Sequence, residues 1–173
     1  MSVSQFNLSS GQRAERKLLI TVAEWLEGTT PTREILGTRT EDSSIEYNPD
    51  IETTTDILGI NYTDLNKTQP QQDFDPYLVL GGSKLGAKLN DIRRRNALSE
   101  LSQFTVYIIT AFVGNSSAGY AAEKHTGCTI TYNSIGGDAN VNFPISVYFS
   151  NQITLGTVNK LSSDFQFSAA GSL

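Results

Sequence analysis

The sequence predicts a mainly β fold that carries one α-helix and a long extended arm. Residues 104–113 (FTVYIITAFV) are apolar at consecutive positions, which is typical of a central strand covered on both faces. Residues 83–96 show the apolar spacing of a helix. Residues 41–75 are mostly polar and include three consecutive threonines, a residue type that favours extended structure.

Composition and charge restrict the functional classes. The chain has 173 residues, enough for one domain, and 38% of them are hydrophobic, enough for a core. A net charge of −5 argues against attraction of nucleic acid over the whole surface. The single cysteine, Cys128, cannot form an internal disulfide. The N-terminus lacks an apolar secretory segment and no stretch is long enough to span a bilayer as a helix, so we expect a soluble protein made in a cytoplasm.

The N-terminal part is expected to contain a mobile segment, one strand and a turn. Residues 1–13 are expected to form a flexible N-terminal arm, and the domain is expected to span residues 14–161. Residues 18–26 (LLITVAEWL) fit either a helical face or the alternation of a strand. The consecutive branched side chains in ITV favour the strand. Residues 28–32, which include a proline, are expected to form a turn.

The acid-rich segment at residues 41–75 is predicted to protrude from the domain. It holds nine of the chain's 18 acidic residues. Asn48-Pro49-Asp50 is typical of a turn and is expected to form the tip, because proline fixes φ and the flanking residues cap local turns. An arm of this length is expected to contact a partner. The candidate contact residues are Glu46, Tyr47, Asn48, Pro49, Asp50, Glu52 and Asp56.

The predicted helix at residues 83–96 carries a basic surface. Ser83 is a candidate N-cap, Asn96 can end the helix, and apolar residues at i, i+4 and i+7 form one stripe. Its basic residues are Lys84, Lys88, Arg93, Arg94 and Arg95. The acidic arm and the basic helix are either two separate solvated faces or a matched pair, with the arm of one subunit docked on the helix of a neighbour. In the second case the ion pairs would set register more than affinity.

The C-terminal half is predicted to consist of strands. Besides the central strand, strands are expected at residues 120–123 (a short edge), 126–133, 141–149 and 152–158. Residues 162–173 are expected to form a loosely ordered tail, in which Phe165 and Phe167 could dock.

The search for catalytic and metal-binding residues yields no complete set. His125, the only histidine, lies three residues before Cys128, a spacing that places the two side chains on opposite faces of a strand. We therefore expect a small buried thiol and a surface imidazole. A structural zinc site needs four ligands, and a phosphate loop needs more than the Gly81-Gly82-Ser83-Lys84 fragment. The sequence thus predicts no catalytic residue, no metal and no cofactor, and a protein that is not an enzyme.

The succession of these features resembles a known family. The arm segment EYNPDIETTTDILG at 46–59 is followed by DPYLVLGGSKLGAKLNDIRRRN at 75–96, then by QFTVYIITAFVG at 103–114 and the strand pair VNFPISVYF and QITLGTV. This order is similar to that of the major tail protein, the tail tube subunit, of tailed bacteriophages. The resemblance spans residues 14–160, no single motif in it is diagnostic, and the arm followed by the helix is its most telling part.

The resemblance implies a β-sandwich or split barrel with one flanking α-helix and a structural role. Six copies would form a ring, and rings would stack into a tube through an arm that reaches the adjoining ring. DNA and the tape-measure protein would occupy the lumen, and tail terminator and baseplate proteins would bind the ends. No membrane partner is implied. The protein would be synthesised and assembled in the bacterial host cytoplasm and reside in the virion tail.

Two other functional classes remain open at the level of sequence. A phage baseplate or receptor-binding β-sandwich module would expose aromatic residues at one loop end, whereas the aromatics here lie mostly in predicted strands. A hydrolase with paired carboxylates would need apolar walls to raise a carboxyl pKa, whereas the acids cluster on the arm.

Overall fold

The computed structural model describes residues 5–171. Within this range there is one α-helix, α1 (Lys84–Arg95), together with 3-10 helices at Arg16–Leu18 and Leu98–Ser102. The strands are β1 (Leu19–Glu27), β2 (Thr30–Ile35), β3 (Ile45–Glu46), β4 (Asp50–Thr55), β5 (Asn61–Lys67), β6 (Gln71–Phe74), β7 (Phe104–Asn115), β8 (Gly119–Tyr132), β9 (Ile145–Tyr148), β10 (Ile153–Val158) and β11 (Phe167–Ala169). The predicted mainly β fold with one α-helix is confirmed.

Nine of the strands form one antiparallel sheet organised around the long strand β8. On one side of β8 lie β7, β1 and β2, in that order. On the other side, β10 pairs with the first part of β8 and β9 with its last part. Strand β11 extends β10, while β6 and then β3 extend β9. The sheet therefore divides into two branches beyond β8, and β4 and β5 form a separate two-stranded sheet.

The core consists of two apolar clusters on opposite faces of β1 and β7. Val106 and Ile108 of β7 contribute to the larger cluster, which also takes side chains from α1, β6, β8 and β9. Tyr107 and Ile109 contribute to the smaller cluster, which includes Phe165 from the C-terminal segment. Because successive side chains of a strand point to opposite faces, this double burial explains the continuous apolar run and confirms the prediction of a central strand.

Helix α1 covers the larger cluster with the predicted stripe. Leu85, Leu89 and Ile92 are fully buried. The hydroxyl of Ser83 accepts a backbone N–H of the first turn at 3.2 Å, and Asn96 ends the helix in the left-handed conformation with φ 53°. Both predicted helix boundaries are therefore confirmed, because the local capping signals and the apolar period agree.

The carboxylate of Glu34 on β2 joins the start of α1 to the sheet. It accepts hydrogen bonds from the N–H of Leu85 at 2.8 Å, the hydroxyl of Tyr77 at 3.1 Å and the hydroxyl of Ser83 at 3.0 Å. Burial raises the pKa of Tyr77, so its hydroxyl keeps the proton that it donates. A carboxylate at this position is also favoured by the helix dipole.

Three strand boundaries differ from the sequence prediction. A turn was predicted at residues 28–32, but only residues 28 and 29 form it, with Gly28 at φ 64°. Residues 30–32 belong to β2. Its proline is tolerated there because β2 pairs only with β1 among the described strands. The predicted strands at 120–123 and 126–133 are one strand, β8, which is paired on both sides rather than at an edge. Strand β9 is shorter than predicted and begins after Pro144.

Both ends of the described range contact the domain. Phe6 forms a β-bridge with Val113, and its ring lies 5.5 Å from that of Phe112, so this part of the predicted flexible N-terminal arm is docked. Residues 1–4 of that predicted arm lie outside the described residues. The suggested docking of Phe165 and Phe167 is confirmed, because Phe165 is buried in the smaller cluster and Phe167 packs against it. The expectation of loose order from residue 162 is wrong up to residue 170, because β11 also pairs with β10.

Candidate functional site

A β-ribbon at residues 45–72, within the predicted protruding segment 41–75, projects from the sheet. From here on, the arm means this ribbon. Its base is the β3–β6 pair, through which the ribbon joins β9. Its outer part is the β4–β5 hairpin, in which all residues are exposed. The N–H of Gln69 donates to the carbonyl of Tyr47 at 2.7 Å, so hydrogen bonds connect the base to the outer part. The arm is thus an ordered ribbon with one end anchored in the domain.

The tip of the arm lies at residues 56–60, and the prediction of a tip at Asn48-Pro49-Asp50 is wrong. Asn48 adopts φ 45° and donates its side-chain amide hydrogen to the carbonyl of Gln69 at 3.0 Å. The strand register shifts directly afterwards, between Asp50 and Ile51. The turn-forming residues therefore build an irregularity between the base and the outer part of the arm, where the ribbon continues instead of reversing.

The carboxylate of Asp56 organises the tip. It accepts the N–H of Leu58 at 2.8 Å and the N–H of Ile60 at 3.0 Å, and Gly59 supplies the left-handed conformation with φ 75° that the turn requires. The hydrogen bond from Ile60 is the main cause that lowers the pKa of Asp56 below its ordinary value of 3.8. As a result Ile57 is fully exposed and Leu58 is 77% exposed. The tip therefore presents two aliphatic side chains to solvent.

The tip should lose its organisation only when the pH falls below the ordinary aspartate pKa of 3.8. Because the pKa of Asp56 is lowered in the folded arm, its stabilising effect is complete above the ordinary value of 3.8 and is lost as the pH falls through the lowered value. We expect a carbon-13 NMR titration of the Asp56 carboxyl in the unassembled subunit to give a midpoint below 3.8, with Asp56→Asn identifying the resonance. A midpoint at or above that value would show that the tip hydrogen bonds do not persist in solution.

Exposed apolar residues distinguish the arm from an ordinary solvated loop. Ile51 pairs with Leu65 across one face of the hairpin, whereas the opposite face places two acids, Glu52 and Asp64, directly across from each other. Like charges in that position destabilise a hairpin, and a two-stranded hairpin is marginal in water without packing. The large apolar residues exposed on the arm are Tyr47, Ile51, Ile57, Leu58, Ile60, Tyr62 and Leu65. Such a segment is better explained by a partner surface than by solvent.

The predicted contact residues are distributed along the whole arm. Glu46 lies at the base, Tyr47, Asn48 and Pro49 at the irregularity, Asp50 and Glu52 on β4, and Asp56 at the tip. All are exposed. Sequence reasoning gave weight to the acids and missed the apolar set. The signal that could have found it is the recurrence of isolated isoleucine and leucine residues within an otherwise polar stretch.

The predicted docking helix offers less free positive charge than its sequence indicates. Lys88 pairs with Glu100 at 3.4 Å, and Arg95 pairs with both Asp91 at 2.8 Å and Glu100 at 2.9 Å. The remaining basic residues are Arg93, which donates to the Asn90 side chain, and Lys84 and Arg94, which are exposed. Docking of an arm on this helix stays a prediction, and it would depend chiefly on Lys84 and Arg94.

His125 and Cys128 differ from the prediction in two respects. His125 is buried rather than on the surface, with its ring 5.1 Å from that of Phe149 and 3.1 Å from the carboxylate of Glu123. Gly127, at φ 74°, forms a bulge in β8, so both side chains lie on the same face despite the odd spacing. Cys128 is buried, as predicted, and burial raises the pKa of its thiol. The thiol contacts the backbone carbonyl of His125 at 3.4 Å, and a protonated thiol in this setting is a poor nucleophile.

Residues 5–171 contain neither a metal-ligand cluster nor a helix that could span a membrane. No group of three or more His, Cys, Asp or Glu side chains in this range is arranged to hold a metal ion. No helix in the same range has the length and apolarity needed to cross a membrane.

Comparison with known proteins identifies similarity at the level of structure. The sequence matches no protein-family model, and no curated protein matches it. Among solved structures, the chain is similar to one described as the cryo-EM structure of the anti-feeding prophage baseplate, 6-fold symmetrised. The identity is 12% and the TM-score 0.49, with 89% of this chain and 100% of that chain covered. A likeness of this degree establishes neither a family nor a function.

Proposed function

We propose that the protein is a structural subunit of a bacteriophage tail tube, which assembles with copies of itself and is not an enzyme. The observation that carries the proposal is the arm, an ordered ribbon that exposes seven large apolar residues. Within the described residues, its hairpin strands β4 and β5 contact extensively only each other. The order of sequence features across residues 14–160, which resembles that of tail tube subunits, supports the proposal of a tail tube in particular.

The edges of the main sheet support ring formation. Among the described strands, β2 pairs only with β1, and β11 pairs only with β10. Following the antiparallel pairings across the sheet shows that β2 and β11 run in opposite directions. Copies related by rotation could therefore place β2 of one beside β11 of the next as an antiparallel pair. Such pairing would remove open edges that a free subunit exposes to aggregation.

The proposed tube consists of stacked rings of six copies, with DNA and the tape-measure protein in its lumen. Each copy contributes a net charge of −5, and an acidic lumen would repel the DNA backbone and favour its passage over binding. Tail terminator and baseplate proteins would close the two ends. The protein would be made in the bacterial host cytoplasm and act in the virion tail.

Electron microscopy of the purified protein tests the proposal. We expect negative-stain images to show rings and hollow tubes of constant diameter that lengthen with protein concentration. The baseplate or receptor-binding alternative predicts closed assemblies of fixed size instead, and retention on cell-wall glycan. A protein that remains monomeric at high concentration across a range of salt conditions would overturn the self-assembly proposal.

A further inference from the structure

We propose that the apolar tip of the arm docks into a groove at the base of the arm of a second copy, so that subunits join head to tail. This inference rests on the proposed function and names the two surfaces that meet. The tip side consists of Ile57 and Leu58, held in place by the hydrogen bonds of Asp56. Because the turn is preorganised, little conformational entropy remains to be lost when these side chains are buried in a partner.

The groove lies where β1 and the loop after β2 meet the base of the arm, and we call it the base groove. It has a volume of about 340 Å³, within the usual range of binding pockets. Its apolar wall consists of Leu19, Ile20, Ile35, Leu36 and Phe74. An aliphatic tip of two side chains matches this wall in chemistry.

The floor and rim of the base groove are held by polar contacts. On the floor, the Thr21 hydroxyl donates to the buried side chain of Gln72 at 2.8 Å. At the rim, the guanidinium of Arg16 donates to the carbonyl of Leu19 at 2.7 Å and to that of Ser43 at 2.8 Å. The groove is thus bounded by side chains with fixed positions, as a receptor for a rigid tip requires.

The arm of the same copy cannot fill the base groove. Ser43 and Gln72 line the groove at the point where the arm leaves the domain. The tip residues Ile57 and Leu58 lie 14 residues from Ser43 and Gln72, respectively. At the rise of a β-strand this corresponds to roughly 45 Å. The strands are paired at the base and again from Asp50 to the tip, and the hydrogen bond from Gln69 to Tyr47 connects the two pairings, so folding back would break these contacts. An arm that fills the groove must therefore come from another copy.

Charge favours the base groove over an exposed apolar patch elsewhere on the domain. That patch includes Val79 and Val141, and it lies beside two acids, Asp75, which accepts a hydrogen bond from Asn142, and Asp138 in the loop that closes at Asn142. An arm that carries four acids and one base between residues 50 and 67 would be repelled there. The base groove has Arg16 and Lys17 against Glu41, and Lys17 pairs with Glu15 at 2.9 Å, so its charge is balanced and does not repel the arm.

Docking of a tip into a base has a consequence for symmetry. The tip and the groove are different surfaces of the subunit, so the contact is heterologous. When two copies join, one still has a free tip and the other still has a free groove. Heterologous contacts that do not close into a ring generate open polymers. A single type of contact would therefore be sufficient to stack rings without a set limit on length.

Cysteine cross-linking tests the proposed contact. We expect copies with Leu58→Cys, mixed with copies that carry Glu41→Cys, to form disulfide-linked dimers under mild oxidation, and the double variant to form a ladder of linked oligomers. The controls pair Leu58→Cys with Ala87→Cys on the exposed face of α1, or with Val141→Cys in the apolar patch that lies beside Asp75 and Asp138. The parent protein, whose only thiol is the buried Cys128, controls for background.

The outcomes separate this contact from the proposed function. Two outcomes in assembled tubes would overturn docking in the base groove while leaving self-assembly intact. In the first, Leu58→Cys links to position 87 or 141. In the second, it links to none of positions 41, 87 and 141. An intramolecular link between positions 58 and 41 would also overturn it. If the parent protein forms no assembly at all, both proposals fail.

Discussion

Replacement of residues 50–67 by an Asn-Gly turn is expected to give a folded subunit that forms no tubes. The excision removes β4, β5 and the tip but keeps the β3–β6 base, in which Ile45 packs against the core and Gln72 is buried. Because the removed residues are exposed, we expect the free energy of unfolding of the domain to change by less than about 0.5 kcal/mol. Loss of a central apolar contact, by contrast, costs an interface about 2 kcal/mol or more, which is more than tenfold in affinity.

Sedimentation and electron microscopy would measure the loss of tubes, and urea unfolding would show that the domain remains folded. Thr54→Ser, a conservative change on the exposed surface of β4, is the matched control and should assemble as the parent does. A second variant changes only Ile57 and Leu58, both to serine, which keeps the length of the arm and removes its apolar tip. Normal tubes from the excised variant would show that the arm has no part in assembly.

The elements that could be predicted from sequence are those in which local signals and burial agree. Helix α1 combines an N-cap, a left-handed C-cap and an apolar stripe that becomes fully buried. Strand β7 is apolar at successive positions because it has a cluster on each face. In both cases the pattern within a short window depends directly on what the element packs against, so tertiary structure reinforces the local preference.

The features that could not be predicted depend on backbone irregularities or distant partners. As a sequence pattern, Asn48-Pro49-Asp50 predicts a turn more strongly than Asp56 and Gly59 do. The register of β4 and β5 nevertheless places the chain reversal at residues 56–60. One extra residue at Gly127 reverses the alternation of β8, which brings His125 to the buried face. At the candidate site, the acids marked the arm correctly as a distinct segment. Its isolated apolar residues, however, follow the same alternation as a strand in a core, and only the structure shows that they are exposed.

The largest effect on stability is expected for Phe165→Ala, in the segment that sequence analysis took for a loose tail. Phe165 is 2% exposed, its ring lies 5.0 Å from that of Tyr107 in an edge-to-face arrangement, and the guanidinium of Arg33 lies 4.1 Å from its centre. Arg33 is itself fixed by an ion pair with Glu24 at 2.6 Å. Truncation of a buried phenylalanine leaves a cavity and typically costs about 3–5 kcal/mol, and here a cation–π contact is lost as well.

Urea unfolding of the unassembled subunit would measure the effect of Phe165→Ala on the free energy of unfolding. Leu155→Ala on β10 is the matched control, because Leu155 is a large apolar residue that is 61% exposed, and its truncation should change the value by about 0.5 kcal/mol or less. Since the C-terminal segment covers one face of β1 and β7, we also expect Phe165→Ala to increase hydrogen exchange in both strands. A loss below about 1 kcal/mol would mean that the segment is only weakly docked, and that the smaller cluster is stable without its aromatic cover.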